Sequence, residues 1–331
     1  MANPTPTPSA EPAASHGRLE HLPVAFFAIV MGLAGLTIAT EKAEHLWGWS
    51  FKPSLVLLAL STLVYAGIAM AYLTKFLRHR KHVIEEFNHP IRMSFFPAMS
   101  IGLILLGIAY LEPLPGLALW LWGFGSSVQL VFTLVILSNW IHHEKFQIQH
   151  SNPAWFIPIV GNILVPVAGV PLGFPEISWF FFSIGLVFWI VLLAILMNRF
   201  FFHPMMPGKL LPTLFILIAP PAVGFISWIK LHDGVLDDAG RILYYTALFT
   251  TLLLFAQIKY FARVKFALPW WAYSFPMAAI TIASMIMLEK LGGAFFASLA
   301  PILLTLLALI IVVLIFNTVR AMMRGEICVP E

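Results

Sequence analysis

Ten long hydrophobic stretches run through this chain of 331 residues and leave no room between them for a soluble domain. Each holds about 19 or more mainly apolar residues, the length that an α-helix needs to cross the hydrocarbon core of a bilayer. The predicted spans are residues 22–40, 53–77, 91–111, 115–139, 153–172, 175–198, 210–230, 240–261, 268–288 and 294–319. The pattern predicts an all-α integral membrane protein.

The composition supports this interpretation. Only 10% of the residues are charged, against 60% that are hydrophobic, so a soluble protein of this length could not cover its surface with charge. A soluble enzyme, a disordered chain and a coiled coil are therefore excluded, and no nucleic-acid partner is expected. The single cysteine, Cys328, excludes an intramolecular disulfide.

The ends of the chain differ from its middle. Residues 1–20 are rich in Pro, Ser, Thr and Ala without apolar periodicity, which predicts a disordered tail. Residues 21–322 then form the predicted ten-helix transmembrane domain, and residues 323–331 a short C-terminal tail. The first apolar stretch, near Leu22, is too long and too far from the N-terminus for a signal peptide.

The basic residues indicate which side of the membrane each loop occupies. Fourteen of the 19 Lys and Arg residues fall in the N-terminus, the C-terminus and the loops that follow even-numbered spans. Because positive residues concentrate on the cytoplasmic side, both termini are predicted to be cytoplasmic in a multi-pass protein of the bacterial inner membrane. Counted with the acidic residues, the predicted inner face carries a net charge of +7 and the outer face −3.

An internal repeat marks alternate spans. Short outer loops and longer basic inner loops group the spans into five helical hairpins. The third, fifth, seventh and ninth spans carry Pro97, Pro158, Pro220 and Pro276, spaced 61, 62 and 56 residues apart. Repetition at a constant period is the signature of duplicated units.

The repeated prolines predict how the hairpins are arranged. A proline within a helix removes a hydrogen bond and frees a carbonyl of the preceding turn, and such a carbonyl must be buried in protein or face water. We therefore expect kinked odd-numbered spans inside, around a central pore, and unbroken even-numbered spans facing lipid. The alternative is that the prolines only kink packed helices.

The spans lack the side chains of a proton pump. No Lys, Arg, Asp, Glu or His lies near a predicted midplane, where proton-coupled transporters usually place one, so passive ion flow is favoured. Arg92, Lys209 and Lys265 precede odd-numbered spans and are candidates for a cytoplasmic vestibule that attracts anions. The alternative is that these charges only set the topology.

Histidines in two inner loops raise the hypothesis of a di-metal centre. They are His79, His82, His89, His142, His143 and His150. Metal sites of this kind need several histidines at fixed spacing, and this spacing does not match the sets expected of membrane hydroxylases. We expect no metal, no cofactor and no enzyme, and a membrane metalloenzyme is the least favoured hypothesis.

Several short motifs resemble one known family. Residues 88–97, with the letters NHPIRMSFFP, resemble the H-P-[VI]-R-x-[SN]-F segment that opens the third helix of the TehA and slow-type anion channel family. Residues 24–35, 152–162, 219–221 and 271–276 resemble further motifs of that family in the same order. The resemblance covers about residues 20–325. Members are also described as tellurite-resistance or C4-dicarboxylate (malic acid) transporters.

The resemblance implies an architecture and a gate. The architecture is ten helices in five hairpins with quasi-five-fold symmetry around a central pore, usually as a homotrimer. An aromatic plug of the pore falls on Phe275, beside Pro276. Further pore-lining candidates are Phe27, Ala28, Phe96, Phe156, Asn162, Phe215 and Gly224. The chain departs from the family at Ala28, where glycine is common, and at Val30, where proline is common.

These observations lead to two principal functional hypotheses. The first is an anion-selective channel or facilitator that passes small anions such as chloride and nitrate through a phenylalanine-gated pore. The second is a proton-coupled secondary transporter of C4-dicarboxylates or tellurite-related oxyanions.

Overall fold

The computed structural model describes residues 19–329, whose secondary structure consists of helices joined by turns and loops, with no strand. Within that range, nine helices are long and apolar enough to cross a membrane, and a tenth apolar segment, Pro153–Gly169, is shorter. The prediction of an all-α multi-pass membrane protein is confirmed, with nine rather than ten helices of spanning length. Most of the predicted N-terminal tail and the last two residues lie outside the described residues.

The ten apolar segments follow the order of the predicted spans. They are α1 (Val24–Trp47), α2 (Pro53–Arg78), α3 (Arg92–Ala109), α4 (Pro115–His142), α5 (Pro153–Gly169), α6 (Pro175–Phe202), α7 (Gly208–Leu231), α8 (Asp238–Ala256), α9 (Leu268–Leu291) and α10 (Ala294–Met323). A further helix that was not predicted, Arg80–Asn88, lies between α2 and α3.

Burial separates the odd-numbered segments from the even-numbered ones. In the most apolar 18-residue stretch of each helix, 72–83% of the residues are buried in α1, α3, α7 and α9. The corresponding share in the even-numbered helices is 17–33%. In α5, every residue except Gly161 is buried. The even-numbered helices expose large apolar side chains such as Leu63, Trp120 and Ile190, which suits contact with lipid rather than water.

The odd-numbered segments contact one another in a closed cycle. α1 packs against α3 and α9, α3 against α5, α5 against α7, and α7 against α9. Each even-numbered helix packs against the odd-numbered segment that precedes it in the chain, and also contacts the next one in the cycle. A ring of buried segments is thus surrounded by helices with exposed apolar faces.

The odd-numbered segments begin in 3₁₀ conformation and continue as α-helices. The 3₁₀ stretches are Val24–Phe26 in α1, Arg92–Phe95 in α3, Gly208–Ile218 in α7 and Leu268–Tyr273 in α9. Runs longer than three or four residues are uncommon in this conformation, so the stretch in α7 is unusual. α5 alternates between the two conformations along its whole length.

The repeated prolines lie at or near the start of the α-helical parts of their segments. Pro97 is the residue before the α-helical part of α3, and Pro220 and Pro276 lie in the first α-helical turns of α7 and α9. The N–H groups of Ala219 and Ser274 at these junctions donate to carbonyls of the preceding 3₁₀ turns, whereas each proline has no N–H to donate. Pro158 likewise lies in a short α-helical turn between 3₁₀ turns of α5. The repeated prolines mark the change from 3₁₀ to α conformation.

Side chains from neighbouring helices satisfy the carbonyls of the broken segment α5. Gln129 Nε2 donates to the carbonyls of Ile157 and Pro158 at 3.2 and 3.1 Å. Thr133 Oγ1 donates to the Pro158 carbonyl at 2.7 Å, and Ser100 Oγ donates to Gln129 Oε1 at 2.7 Å. These buried bonds remove the cost of carbonyls that the helix leaves free, so α3 and α4 hold α5 in its irregular conformation.

A buried ion pair joins helix Arg80–Asn88 to the end of α2, and a hydrogen bond from the same carboxylate joins it to the start of α1. Glu86 Oε2 lies 2.7 Å from Lys75 Nζ at the end of α2, and both side chains are almost fully buried. The Glu86 carboxylate also accepts the Tyr72 hydroxyl at 3.0 Å and the Val24 N–H at 2.7 Å. Because buried charges are tolerated when they are paired and hydrogen-bonded, this group can sit at the entry to α1.

At the opposite end of the molecule, acidic side chains cap helices. Glu44 accepts both the backbone N–H and the hydroxyl of Ser54, each at 2.7 Å, in the first turn of α2. Asp237 accepts the Gly240 N–H at 2.8 Å at the start of α8. That backbone hydrogen bond holds the pKa of Asp237 below its usual value.

Gly32 gives a test of the contact between α1 and α9. A Cβ at Gly32 would lie 2.3 Å from Ser274 Oγ and 3.1 Å from Trp271 Cε3, so Gly32→Ala forces the two segments apart. Overpacking of this kind costs about 1–3 kcal/mol, and we expect a lower melting temperature in detergent. Gly67→Ala, on an exposed part of α2 with no atom within 4 Å of the new Cβ, is the matched control and should melt like the wild type. Equal melting of Gly32→Ala and Gly67→Ala would contradict the packing.

Candidate functional site

A cavity of about 80 Å³ lies within the ring of odd-numbered segments. All five of these segments contribute to its wall, and no residue of an even-numbered helix is among the described lining residues. The wall runs from near the start of α1 and α9, at Ala25 and Leu268, to the middle of α5 and α7, at Leu164 and Val223. The cavity thus begins near the end of the bundle where the odd-numbered segments start and reaches its middle.

The wall of the cavity is apolar. No charged side chain is found among the described lining residues. The indole N–H of Trp271, which is on the wall, is already donated to Thr318 Oγ1 at 3.0 Å. The volume is sufficient for several water molecules, but the side chains offer an ion no charge to bind. Such a cavity suits passage and blocking by dewetting rather than tight binding.

The lining residues follow helical spacing along their segments. In α7 they are Ile216, Ala219, Pro220 and Val223, and in α9 they include Leu268, Trp271, Ala272 and Phe275. The intervals i, i+3, i+4 and i+7 place side chains on one face of a helix. This spacing is the sequence signal that could have identified Ile216 and Trp271, which the sequence analysis missed.

Phe275 lies on the cavity wall and is half-buried. Its ring packs beside Gly35 of α1, where a Cβ would lie 3.6 Å from Phe275 Cδ2 and 2.8 Å from the Ala278 side chain. A glycine at this position therefore permits the close approach of α1 to the turn that carries the ring. The Phe275 ring therefore lies between helix α1 and the apolar cavity.

Four other predicted residues share this wall with Phe275. They are Ala28, Phe156, Pro220 and Pro276. They come from α1, α5, α7 and α9, so the structure brings together residues from four of the repeated units.

Phe96 does not line the cavity, and its neighbour Phe95 does. The Phe96 ring packs against Phe87 with centroids 4.9 Å apart, on the side of helix Arg80–Asn88. In α3 the turn before the proline is a 3₁₀ turn, with 3.0 rather than 3.6 residues per turn. α9 also begins with a 3₁₀ stretch, but its α-helix starts at Ser274, so Phe275 is α-helical whereas Phe96 precedes the α-helix of α3. The directions of the two side chains therefore differ.

Phe27 and Phe215 also pack between helices, away from the cavity. The Phe27 ring is buried against Tyr65 and Tyr72 of α2, with centroids 5.8 and 6.0 Å apart. The Phe215 ring lies against Tyr273, with centroids 4.7 Å apart. Both rings fill the interior of the bundle rather than face the space that it encloses.

Two further candidates have packing roles. Asn162 is fully buried and donates to Thr133 Oγ1 at 2.8 Å and to the Ile159 carbonyl at 2.7 Å. Gly224 faces Ile163, whose Cδ1 would lie 3.1 Å from a Cβ at that position. Neither residue is on the cavity wall, and neither Pro97 nor Pro158 is.

The three predicted vestibule residues lie at one end of the bundle. Arg92 begins α3, Lys209 is in the first turn of α7, and Lys265 comes shortly before α9. Lys209 and Lys265 are exposed and Arg92 is half-buried. The cavity wall also begins near this end, so the three cations and the start of the cavity lie at the same end of the bundle.

The described histidines do not form one cluster. Two groups place potential ligand atoms within 4.8 Å of one another, Glu20 with His79 and His82, and Glu41 with His45 and Glu112. Neither group includes a histidine of the loop after α4, so within residues 19–329 the two histidine loops do not combine into a di-metal centre.

The second of these groups is an ion-pair cluster at the opposite end of the bundle. Glu112 accepts His45 Nε2 at 2.8 Å and Lys52 Nζ at 3.2 Å. The hydrogen bond from His45, followed by the one from Lys52, is the main cause that holds the pKa of Glu112 below its usual value. A lysine therefore already neutralises this carboxylate.

Comparison with known proteins adds a family to this geometry. The family model described as SLAC1, voltage-dependent anion channel, matches residues 21–319. The chain is 31% identical over 285 residues to the S-type anion channel SLAH2 of Arabidopsis thaliana, covering 83% of this chain and 54% of that protein. It is 26% identical to the guard cell S-type anion channel SLAC1 of the same plant, covering 83% and 51% of the two chains.

A bacterial relative is matched over more of its own length. The tellurite resistance protein TehA homolog of Haemophilus influenzae is 24% identical over 260 residues, which cover 78% of this chain and 79% of that protein. The chain spans about half the length of the plant relatives.

The resemblance found in the motifs is confirmed. Because the members of this family are anion channels or transporters and not enzymes, the metalloenzyme hypothesis does not hold. The chain belongs to the SLAC1 family of voltage-dependent anion channels.

Proposed function

We propose that this protein is an anion-selective channel or facilitator that passes small anions such as chloride and nitrate through the ring of odd-numbered segments. The observation that carries the proposal is the uncharged cavity, to which every odd-numbered segment contributes and on whose wall Phe275 lies. Family membership and the names of the plant relatives support anions as the transported class.

The proposed architecture has ten membrane crossings in five hairpins with quasi-five-fold symmetry, within residues 21–322. The closed cycle of contacts between odd-numbered segments supports it. The short segment α5 contains 3₁₀ turns, which rise about 2.0 Å per residue instead of about 1.5 Å, so it reaches further than an α-helix of equal residue number. We further propose a homotrimer in the bacterial inner membrane with both termini cytoplasmic, as the basic loops indicate.

In the proposed mechanism, basic residues concentrate anions at the mouth of the pore and the Phe275 ring blocks the path at its centre. Arg92, Lys209 and Lys265 raise the local concentration of anions at the basic end. The Phe275 ring closes the apolar path, and a change of its side-chain rotamer opens it. A hydrophobic constriction of this kind gates by excluding water, without which an ion cannot pass.

The vestibule charges predict a salt-dependent effect. In a Phe275→Ala background, Lys209→Gln with Lys265→Gln is expected to lower anion conductance several-fold at low salt. The loss should shrink near 1 M salt, where the Debye length falls to about 3 Å from about 10 Å at 0.1 M. Lys81→Gln, which removes an exposed cation paired with Glu85, is the control and should conduct as the background does. A loss that is equal at both salt concentrations would contradict the electrostatic role.

The second candidate function is proton-coupled transport of C4-dicarboxylates or tellurite-related oxyanions. The name of the Haemophilus relative, a tellurite resistance protein, favours the tellurite-related oxyanions. The absence of titratable side chains among the described lining residues opposes proton coupling. Uptake of chloride and malate into proteoliposomes separates the two. The proposed channel gives chloride flux that does not saturate and does not respond to a pH gradient, whereas saturable malate uptake driven by a pH gradient would establish the transporter.

A further inference from the structure

Three separate parts of the chain bring metal-ligating side chains together at the basic end of the bundle. Glu20 precedes α1, His79 follows the last residue of α2, and His82 lies in helix Arg80–Asn88. One ligand atom from each lies within 4.8 Å of the others. Glu20 Oε2 and His79 Nδ1 are 3.7 Å apart, and the rings of His79 and His82 have centroids 6.1 Å apart.

We propose that Glu20, His79 and His82 bind a divalent transition-metal ion of the zinc class. Two imidazoles and one carboxylate form a common ligand set for Zn²⁺, which binds nitrogen and oxygen at about 2.0–2.2 Å in tetrahedral geometry. Tetrahedral bonds of that length place ligand atoms about 3.4 Å apart, so contraction of each distance by at most about 1.4 Å completes the site. Rotation of side chains that are only partly buried supplies a movement of this size.

His21 is positioned to complete the coordination. Its ring lies edge-on to that of His82 with centroids 6.1 Å apart, and its Nε2 is 3.4 Å from Glu20 Oε1. A rotation toward the same point would add a third imidazole, and a water molecule fills the fourth position if His21 stays where it is.

The backbone on both sides of the site is held in place. The His79 N–H donates to the Lys75 carbonyl at 2.7 Å, and Lys75 Nζ donates to the Leu22 carbonyl at 2.8 Å. The entry to α1 and the end of α2 are therefore already joined next to the ligands. Glu20 and His79 are 14% and 31% exposed, so their side chains lose less freedom on binding than exposed ones.

The other candidate group lacks these properties. His45 and Glu112 are about half exposed, and Lys52 competes for the same carboxylate. A cation at that group must displace an ammonium. The side chains of Glu20 and His79, by contrast, are mostly buried. The observations therefore favour the site at the basic end.

A bound ion would cross-link the segment that enters α1 to the end of α2. α1 contributes Ala25, Ala28 and Met31 to the cavity wall, so the metal would stiffen the attachment of a wall-forming segment. This inference does not depend on which anion the protein passes, and its test measures metal rather than transport.

The test is zinc binding by the full-length protein, purified in detergent without a polyhistidine tag. We expect titration calorimetry to give one zinc ion per chain and the melting temperature to rise with zinc concentration, as for any ligand of the folded state. His79→Ala with His82→Ala should abolish both. His142→Ala with His143→Ala, two exposed histidines of the loop after α4, should leave both unchanged.

Glu20→Gln keeps the proposal testable if the double histidine variant does not fold. This variant preserves the shape of the side chain and should weaken zinc binding at least tenfold without changing the melting temperature of the metal-free protein. Zinc binding that survives in the double histidine variant, zinc affinity that Glu20→Gln leaves unchanged, or a wild-type protein that takes up no zinc would overturn the proposal.

Discussion

Phe275→Ala is expected to produce a large and steady anion current, whereas the wild type is expected to conduct little. The ring lies on the wall of an apolar cavity, and its removal leaves space that water can fill. Since each factor of ten in rate corresponds to about 1.4 kcal/mol of barrier, an increase of at least about tenfold requires only a modest loss of the hydrophobic barrier. Recordings from oocytes or planar bilayers measure it.

Phe215→Ala is the matched control for that experiment. Phe215 is the same residue type on an odd-numbered segment, but its ring packs against Phe261 and Tyr273 rather than into the cavity. We expect its current to stay at the wild-type level even though its packing is loosened. Equal currents from Phe215→Ala and Phe275→Ala would mean that the current is a general consequence of loosened packing and that Phe275 is not the gate.

Lys75→Met is expected to cause a large loss of stability. The substitution keeps the apolar stem of the side chain but leaves the Glu86 carboxylate buried without its cation. Removal of one partner of a buried ion pair costs about 3–5 kcal/mol, because the remaining charge is uncompensated. Denaturant unfolding in detergent, followed by tryptophan fluorescence, measures the change in the free energy of unfolding.

Two further variants separate the buried charge from other effects of the substitution. Lys75→Met combined with Glu86→Gln removes both charges and should recover part of the lost stability. Lys81→Met removes an exposed cation paired with Glu85, and an exposed pair of this kind is worth about 0–1 kcal/mol. A double variant no more stable than Lys75→Met alone would argue against the uncompensated charge as the cause.

The arrangement of the segments was predictable from the sequence because it follows from repeated signals. Prolines at a nearly constant period marked α3, α5, α7 and α9 as different from the even-numbered helices, and these segments, with α1, are the buried ones. Every odd-numbered segment also contributes to the cavity. The physical reason is that irregular backbone is tolerated in a bilayer only inside protein. A proline that indicates irregular backbone in a span therefore also predicts that the span is buried.

The rotation of individual side chains was not predictable in the same way. The rule that the aromatic residue before the proline faces the cavity holds for Phe275 but fails for Phe96. The α-helix of α9 begins at Ser274, before Phe275, whereas that of α3 begins at Ala98, after Phe96. A difference of 0.6 residue per turn changes the direction of a side chain within one turn. Sequence patterns do not distinguish the two conformations.

Contacts between distant residues were also beyond the sequence analysis. The Glu86 carboxylate meets Lys75 and the Val24 N–H only because helix Arg80–Asn88 folds back against the bundle, and that helix was read as a basic loop. Similarly, Glu20 joins His79 and His82 across the length of two spans. The spacing within one loop does not reveal a ligand that arrives from another part of the chain.

The central claim, a Phe275-gated path for anions, is tested most directly by the reversal potential of the Phe275→Ala protein under a chloride gradient. The account predicts that the reversal potential follows the chloride equilibrium potential, about 59 mV for each tenfold gradient of a singly charged ion, and that it changes when nitrate replaces chloride on one side. A reversal potential that follows the cation gradient, or a variant without current, would contradict it.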